Sequence, residues 1–290
     1  MVGDAMNLPN SLEPIFEIVD TLIMTASVRD AVPVSGSLIA PSGAAKSKLI
    51  KCYRGAMLHS TDSFTQIGLH DINKNDRDHK IRFLMVPDFN PTLSRKPSTV
   101  EATCAQLLSF TSDGTTRVDD GRETKEAKHP PVGIITGVTP EIYHRQEQKW
   151  LALGLRRRII PIFYEYTEST RALLHKMVRE DRINGAEFPP RTFPTVKPSS
   201  PAINSALSLA LETLSIKLSY NLGKGRFRSK RDGKPRFWVQ KVEEIDPHVT
   251  LVKLARAHAL RDKRAMVNQA DIDFVTRFVE FTDPERPAQI

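Results

Sequence analysis

Between about residues 31 and 165 the chain is punctuated by short apolar runs: Val32–Ile39, Ala56–His59, Ile81–Val86, Val132–Val138 and Ile159–Tyr164. Each is short enough to read as a buried strand, and polar, helix-compatible stretches separate them. Strands joined by helical crossovers pair in parallel, and a parallel sheet is covered on both faces. The fold class that follows is α/β with a mainly parallel central sheet.

The flanks have a different texture. Residues 11–30 carry Leu12, Ile15, Phe16, Val19, Leu22 and Ile23 at helical spacing, which predicts a lead-in helix within residues 1–30. The sheet-forming core occupies residues 31–188. Pro189–Pro201, rich in Pro, Ser and Thr, reads as a linker. Beyond it Ile203, Leu207, Ala210, Leu214 and Leu218 share one helical face, and further helices are expected at 247–262 and 269–281, with Asn268 as N-cap of the last. Residues 202–285 therefore read as a small helical domain with a basic loop at 223–238.

The first strand runs into Ala40-Pro41-Ser42-Gly43-Ala44-Ala45-Lys46-Ser47. The template G-x-x-x-x-G-K-[ST] cradles phosphates with backbone N–H groups, meets the β/γ oxygens with its Lys and holds Mg²⁺ with its hydroxyl. Gly43, Lys46 and Ser47 are in place, whereas Ala40 and Ala45 stand where the template has glycine. The expected phosphate cradle is Ser42, Gly43, Ala44, Ala45, Lys46 and Ser47. A left-handed Ala45 would cost about 1–2 kcal/mol. The alternative is an ordinary surface loop with a chance Lys-Ser pair.

The strand Ile81–Val86 ends in Pro87-Asp88-Phe89-Asn90. An Asp at such a strand end supports Mg²⁺ in phosphate-loop enzymes, so Ser47 and Asp88 form the expected metal pair. The residue after it usually orients the attacking water. Phe89 has no base to offer, and Asn90 can at most orient water. The alternative for Asp88 is a turn or helix-capping residue.

Further on, Thr99–Phe110 reads as a helix. Turn signals Asp113-Gly114 and Asp120-Gly121 mark a hairpin within 111–129, and the apolar strand Val132–Val138 ends in Thr139-Pro140. This succession resembles the AAA+ ATPases of the pre-sensor-1 β-hairpin clade, which contains the minichromosome maintenance helicases, the magnesium chelatases and the MoxR-type ATPases. Thr139 matches their sensor 1 position. Gly154-Leu155-Arg156-Arg157-Arg158-Ile159 is similar to the stretch that carries the arginine finger, with Arg158 aligned to it. Arg156 and Arg157 match it less specifically, with surface charge as their alternative. Leu251–Ala259 and Val267–Val275 resemble the helical lid, although no Arg stands near Asp246–His248, where the sensor 2 residue would fall. The resemblance implies an AAA+ P-loop core with a lid, ATP and Mg²⁺ as cofactors, and a homo-oligomeric ring, a hexamer, in which ATP lies between subunits. Asp88, Asn90, Thr139 and Arg158 are the catalytic residues it implies.

Charge bears on the partner. The 290 residues carry a net charge of +8, which attracts polyanions. Arg117 and Arg122 on the hairpin, and Lys224, Arg226, Arg228, Lys230 and Arg231 in the basic loop, are the candidate nucleic-acid contacts; the alternative is solvated charge. The expectation is an ATPase acting on single- or double-stranded DNA, a compact helicase-like or mobile-element motor. A MoxR-like machine with a protein client and a nucleotide-gated adaptor with weak or no hydrolysis are the alternatives. Two cysteines give no disulfide framework, the eight histidines show no H-E-x-x-H spacing, and G-x-S-x-G is absent, which argues against zinc and acyl-transfer chemistry. No apolar run reaches the roughly 20 residues of a membrane span. Acidic residues at Asp4, Glu13, Glu17 and Asp20 argue against a secretory signal, so a reducing, cytoplasmic setting is expected.

Overall fold

The computed structural model describes residues 12–119, 124–179, 188, 190–194, 196–228, 235–239, 242 and 245–290. In chain order its elements are α1 (Glu13–Met24), β1 (Ser35–Ile39), α2 (Lys46–Lys51), β2 (Tyr53–Arg54), β3 (Leu58–Ser60), α3 (Gln66–Asn75), β4 (Phe83–Val86), α4 (Asn90–Leu93) and α5 (Pro97–Ser112). There follow β5 (Thr115–Asp119), β6 (Thr124–Lys128), β7 (Gly133–Val138), α6 (Pro140–Ala152), α7 (Leu155–Arg158), β8 (Ile159–Glu165), α8 (Glu168–Arg179) and β9 (Arg191–Thr192). The chain closes with α9 (Ser205–Gly223), β10 (Lys224–Arg228), β11 (Pro235–Val239), α10 (Ile245–Arg261), α11 (Gln269–Phe281) and β12 (Ala288–Gln289).

The central sheet has six strands in the order β12-β8-β1-β7-β4-β3, all paired in parallel. All five apolar runs of the sequence supply strands to it. Successive residues alternate between two apolar clusters. Leu38, Met85, Ile135 and Ile160 face one, whereas Ile39, Leu84, Ile134 and Ile159 face the other. That period of two is the pleat of a strand buried on both sides. The first cluster is closed by α1, α9, α10 and α11, and the second by α5 and α6. The β5–β6 hairpin is antiparallel and follows α5, as the turn signals predict. Asn73 of α3 fastens its base: the amide donates to Gly114 O at 3.1 Å, Thr116 Oγ1 at 2.7 Å and Ala127 O at 3.0 Å.

α11 begins at the expected place, with Asn268 and Asp271 forming a reciprocal capping box. The segment 189–201 is more firmly attached than its linker-like composition suggests. Its strand β9 pairs with β2, Phe193 is buried, and Arg191 bonds Asp20 at 3.0 Å. Among the described residues no helix is long and apolar enough to cross a membrane.

Candidate functional site

The site lies beyond the C-terminal ends of β1, β4 and β7, where ligands of parallel sheets collect. After β1 the chain turns through the loop 40–45 before α2 begins at Lys46. Gly43 has φ +84° and Ala45 has φ +54°, so both are left-handed. For Ala45 this is the strain of about 1–2 kcal/mol that the missing glycine implies. Tyr164 of β8 braces the loop from beneath by donating its hydroxyl to Ala44 O at 3.0 Å. Lys46 is buried, and its ammonium folds back onto Ala40 O at 2.5 Å and Pro41 O at 2.8 Å. Burial pushes this ammonium down to about 8, against the opposing pull of the Asp88 and Glu141 carboxylates. Ser47 donates its hydroxyl to Pro87 O at 2.9 Å. A Cβ on Gly137 of β7 would stand 2.6 Å from Pro87 O and 3.3 Å from Lys46 Cβ. Glycine there lets the start of α2 and the turn after β4 meet.

The opposite wall comes from β4 and β7. Asp88 accepts a bond from Asn90 N at 3.0 Å, and Asn90 Oδ1 accepts from Thr139 N at 3.3 Å. This ties the turn after β4 to the end of β7. The cavity between the walls holds about 440 Å³ and is lined by Ser42, Gly43, Ala45, Lys46, Ser47, Asp88, Asn90 and Thr139, together with apolar Leu174 and Phe188. Ala44 alone of the expected cradle does not line the cavity, and it is buried. Two left-handed backbone positions, a Lys, a hydroxyl and a carboxylate around one cavity suit an anionic phosphate chain with a hard cation. Ser47 and Asp88 offer oxygen donors. Such hard oxygen donors suit a hard cation that keeps water and phosphate oxygens as its other ligands; among the described residues no group of three His, Cys, Asp or Glu forms a metal cage.

No protein-family model matches this chain, and no curated protein matches it. The chemistry of the crevice therefore rests on its own atoms.

Several expectations change at this level. Phe89 does not stand at the site with its base missing. It is fully buried in the second cluster, 5.5 Å from the Phe64 ring and 6.4 Å from Trp150, and the residue that reaches the cavity is Asn90. The sequence reading also passed over Glu141. It sits in the first turn of α6, two residues after Thr139, and its charge acts on Lys46. An acid in the turn that follows the third site strand was its available signal.

The arginine triplet divides. Arg156 is fully buried rather than a surface charge. It pairs with Glu147 at 3.5 Å, donates to Asn221 O at 3.3 Å and to Lys224 O, and lies over the Tyr143 ring. Arg157 pairs with Asp246 at 3.6 Å. Arg158 is exposed and does not line the cavity of its own chain.

The basic loop divides as well. Lys224 is not a free phosphate contact: it is buried, 3.0 Å from Asp283 and 3.5 Å from Glu285. Arg226 and Arg228 fall on β10, with side chains outside the described set, and Arg122, Lys230 and Arg231 lie outside the described residues. Arg117 is exposed on β5 and pairs with Glu126 at 2.7 Å.

Proposed function

We propose that this chain is an AAA+ ATPase of the pre-sensor-1 β-hairpin clade, binding ATP with Mg²⁺ in the 440 Å³ crevice. The observation that carries the reading is the convergence of Lys46, Ser47, Asp88, Asn90 and Thr139, from three adjacent parallel strands, on one cavity beneath a loop with two left-handed residues. Lys46 would leave its own loop carbonyls to meet the β/γ phosphates, and Ser47 and Asp88 would hold the metal. Thr139 and Asn90 would contact the γ-phosphate or the attacking water. Arg158, exposed and outside its own cavity, would be free to reach the nucleotide of a neighbouring copy in a ring. The β5–β6 hairpin between α5 and β7 and the helices α9 to α11, as the lid, complete the resemblance.

Nucleic acid is the proposed polymer, on the net charge of +8 and the exposed hairpin arginine. A nucleotide-gated module with slow turnover is the second reading. It is favoured by Asn90, a neutral side chain lining the cavity with Asp88, and by the strained Ala45. Sizing the protein with and without ATP–Mg²⁺, each with and without single-stranded DNA, tests the whole. Lys46→Ala should abolish ATP binding and any ATP-dependent assembly; retained affinity would refute the phosphate-loop assignment. Glu141→Gln separates the two readings. A large loss of turnover with binding intact makes Glu141 the water-orienting acid, and no change favours the slow module.

A further inference from the structure

α9 carries only two charged residues, Glu212 and Lys217, in a 19-residue helix. Large apolar residues fall on two opposite faces of it, and an apolar helix face is normally buried. One side conforms: Leu211, Ser215, Leu218 and Leu222 are buried, with α10 and α11 packed against the helix. The other side does not. Leu209, Ile216 and Tyr220 are 63%, 55% and 52% exposed. With Thr213 they fall at i, i+4, i+7 and i+11, the alternating four-three spacing of a two-stranded coiled-coil seam. Glu212 flanks this seam on one side and Lys217 on the other. The Lys224 ammonium, 4.8 Å from the Tyr220 ring centre, holds the last seam residue in place.

We propose that this face docks a second copy of the chain, α9 against α9, parallel and in register about a two-fold axis along the helices. The flanking charges select both occupant and direction. In parallel register Glu212 of each copy lies beside Lys217 of the other, the i to i+5 pairing across a coiled-coil seam, so both flanks are neutralised. An antiparallel arrangement sets Glu212 against Glu212 and Lys217 against Lys217, which repels. Lys217 stands 4.0 Å from Glu280 of its own chain, the outer limit of an ion pair, and its side chain remains half exposed. Leu209, Thr213, Ile216 and Tyr220 each then meet their own symmetry mate in successive layers. Three exposed apolar side chains per copy make a seam smaller than a standard interface, so the dimer dissociates on the order of micromolar concentration or above. A two-fold contact closes at two copies and needs no nucleotide. It is separate from any ring contact through Arg158.

Analytical ultracentrifugation of the full chain without nucleotide, across a wide concentration range, should show a monomer–dimer equilibrium. Leu209→Glu with Ile216→Glu, at exposed positions, should weaken it more than tenfold while the helical circular dichroism is kept. Thr213→Cys alone should form a disulfide-linked dimer on mild oxidation, because the parallel register brings residue 213 onto its mate. The native Cys52 and Cys104 are buried and do not compete. A monomer at every concentration, a dimer indifferent to the two glutamates, or a cross-link that requires both Thr213→Cys and Ile216→Cys would overturn the proposal.

Discussion

Replacing Phe89 with Glu is the substitution that would mend the site if the position after Asp88 faced it. The structure gives the opposite expectation. Phe89 is fully buried against Phe64 and Trp150. Losing such a ring costs about 3–5 kcal/mol. The incoming carboxyl must also stay neutral in an apolar cluster. Its unfolded value is about 4.3, so holding the proton at pH 7 costs roughly a further 3–4 kcal/mol at 1.36 kcal/mol per unit. The total, about 6–9 kcal/mol, rivals the whole stability of a typical domain. Phe89→Gln loses the ring but has no proton to hold, which makes it the control. Urea unfolding followed by tryptophan fluorescence, with Trp150 packed against Phe89, should find Phe89→Glu largely unfolded at pH 7. The sign with pH is fixed. The folded variant binds the carboxyl proton more tightly than the unfolded chain, so its stability falls as pH rises from about 4 to 7, while Phe89→Gln shows no such added slope. A Phe89→Glu protein within about 1 kcal/mol of wild type, or one that hydrolyses ATP faster, would refute this placement. Position 90 is the one that lines the cavity with Asp88, so under the proposed function Asn90→Glu is the variant that would bring a carboxylate there.

Ala45→Gly should relieve about 1–2 kcal/mol of left-handed strain against about 0.4–1 kcal/mol of added unfolded-chain entropy. Thermal unfolding should show unchanged or slightly raised stability, and a fall of more than about 1 kcal/mol would mean that the methyl group's packing dominates. Arg156→Met leaves Glu147 buried without its guanidinium and should cost about 3–5 kcal/mol in urea unfolding. Arg158→Ala, at an exposed position, should change stability by less than about 0.5 kcal/mol; equal losses in the two variants would erase the distinction. Acid should loosen the junction of α1 with α10 and α11. His258 holds the Glu17 carboxyl at about 2, while His258 with the Arg264 guanidinium holds Asp271 at about 2, in both cases against burial. Both carboxyls thus contribute stability above pH 4.5 that is lost as pH falls toward 2. Asp271 and Glu17 raise His258 against burial, so its contribution is full below pH 6.5 and fades as pH climbs through the elevated value. Urea midpoints at pH 3, 6 and 9 for wild type and Glu17→Gln test this: the variant should lose much of the acid limb, and identical profiles would contradict it.

What was legible in the sequence was what neighbours in sequence decide. The five strand runs stand out because a strand buried on both faces has no polar alternation to blur it. Strand β12, by contrast, is two residues long and pairs with β8 through backbone bonds that no side-chain pattern announces. The Lys46-Ser47 pair was legible, and so was the conformational demand on Ala45, because both follow from a local template. The direction of each side chain around it was not. Phe89 and Asn90 are adjacent in the same turn, and only the packing of Phe64 and Trp150 decides which one enters the core.

Charge was the least legible property, because a cation's fate is set by partners far along the chain. Three consecutive arginines point to three sides of one short turn. Arg156 goes inside because the carbonyls of Asn221 and Lys224, 65 and 68 residues away, leave α9 and β10 pointing at it. Lys224 is likewise claimed by Asp283, 59 residues further on. A run rich in Lys and Arg therefore overstates the charge available to a polyanion until each member is followed to its acceptor. For this chain that moves the test of nucleic-acid binding from Lys224, whose ion pair is buried, to Arg117 of the hairpin, whose pair with Glu126 is solvent-exposed and can be exchanged for a phosphate. Removing a bound cation such as Lys224 would lower stability without changing the salt slope, whereas removing one that touches phosphate would reduce the slope by about one.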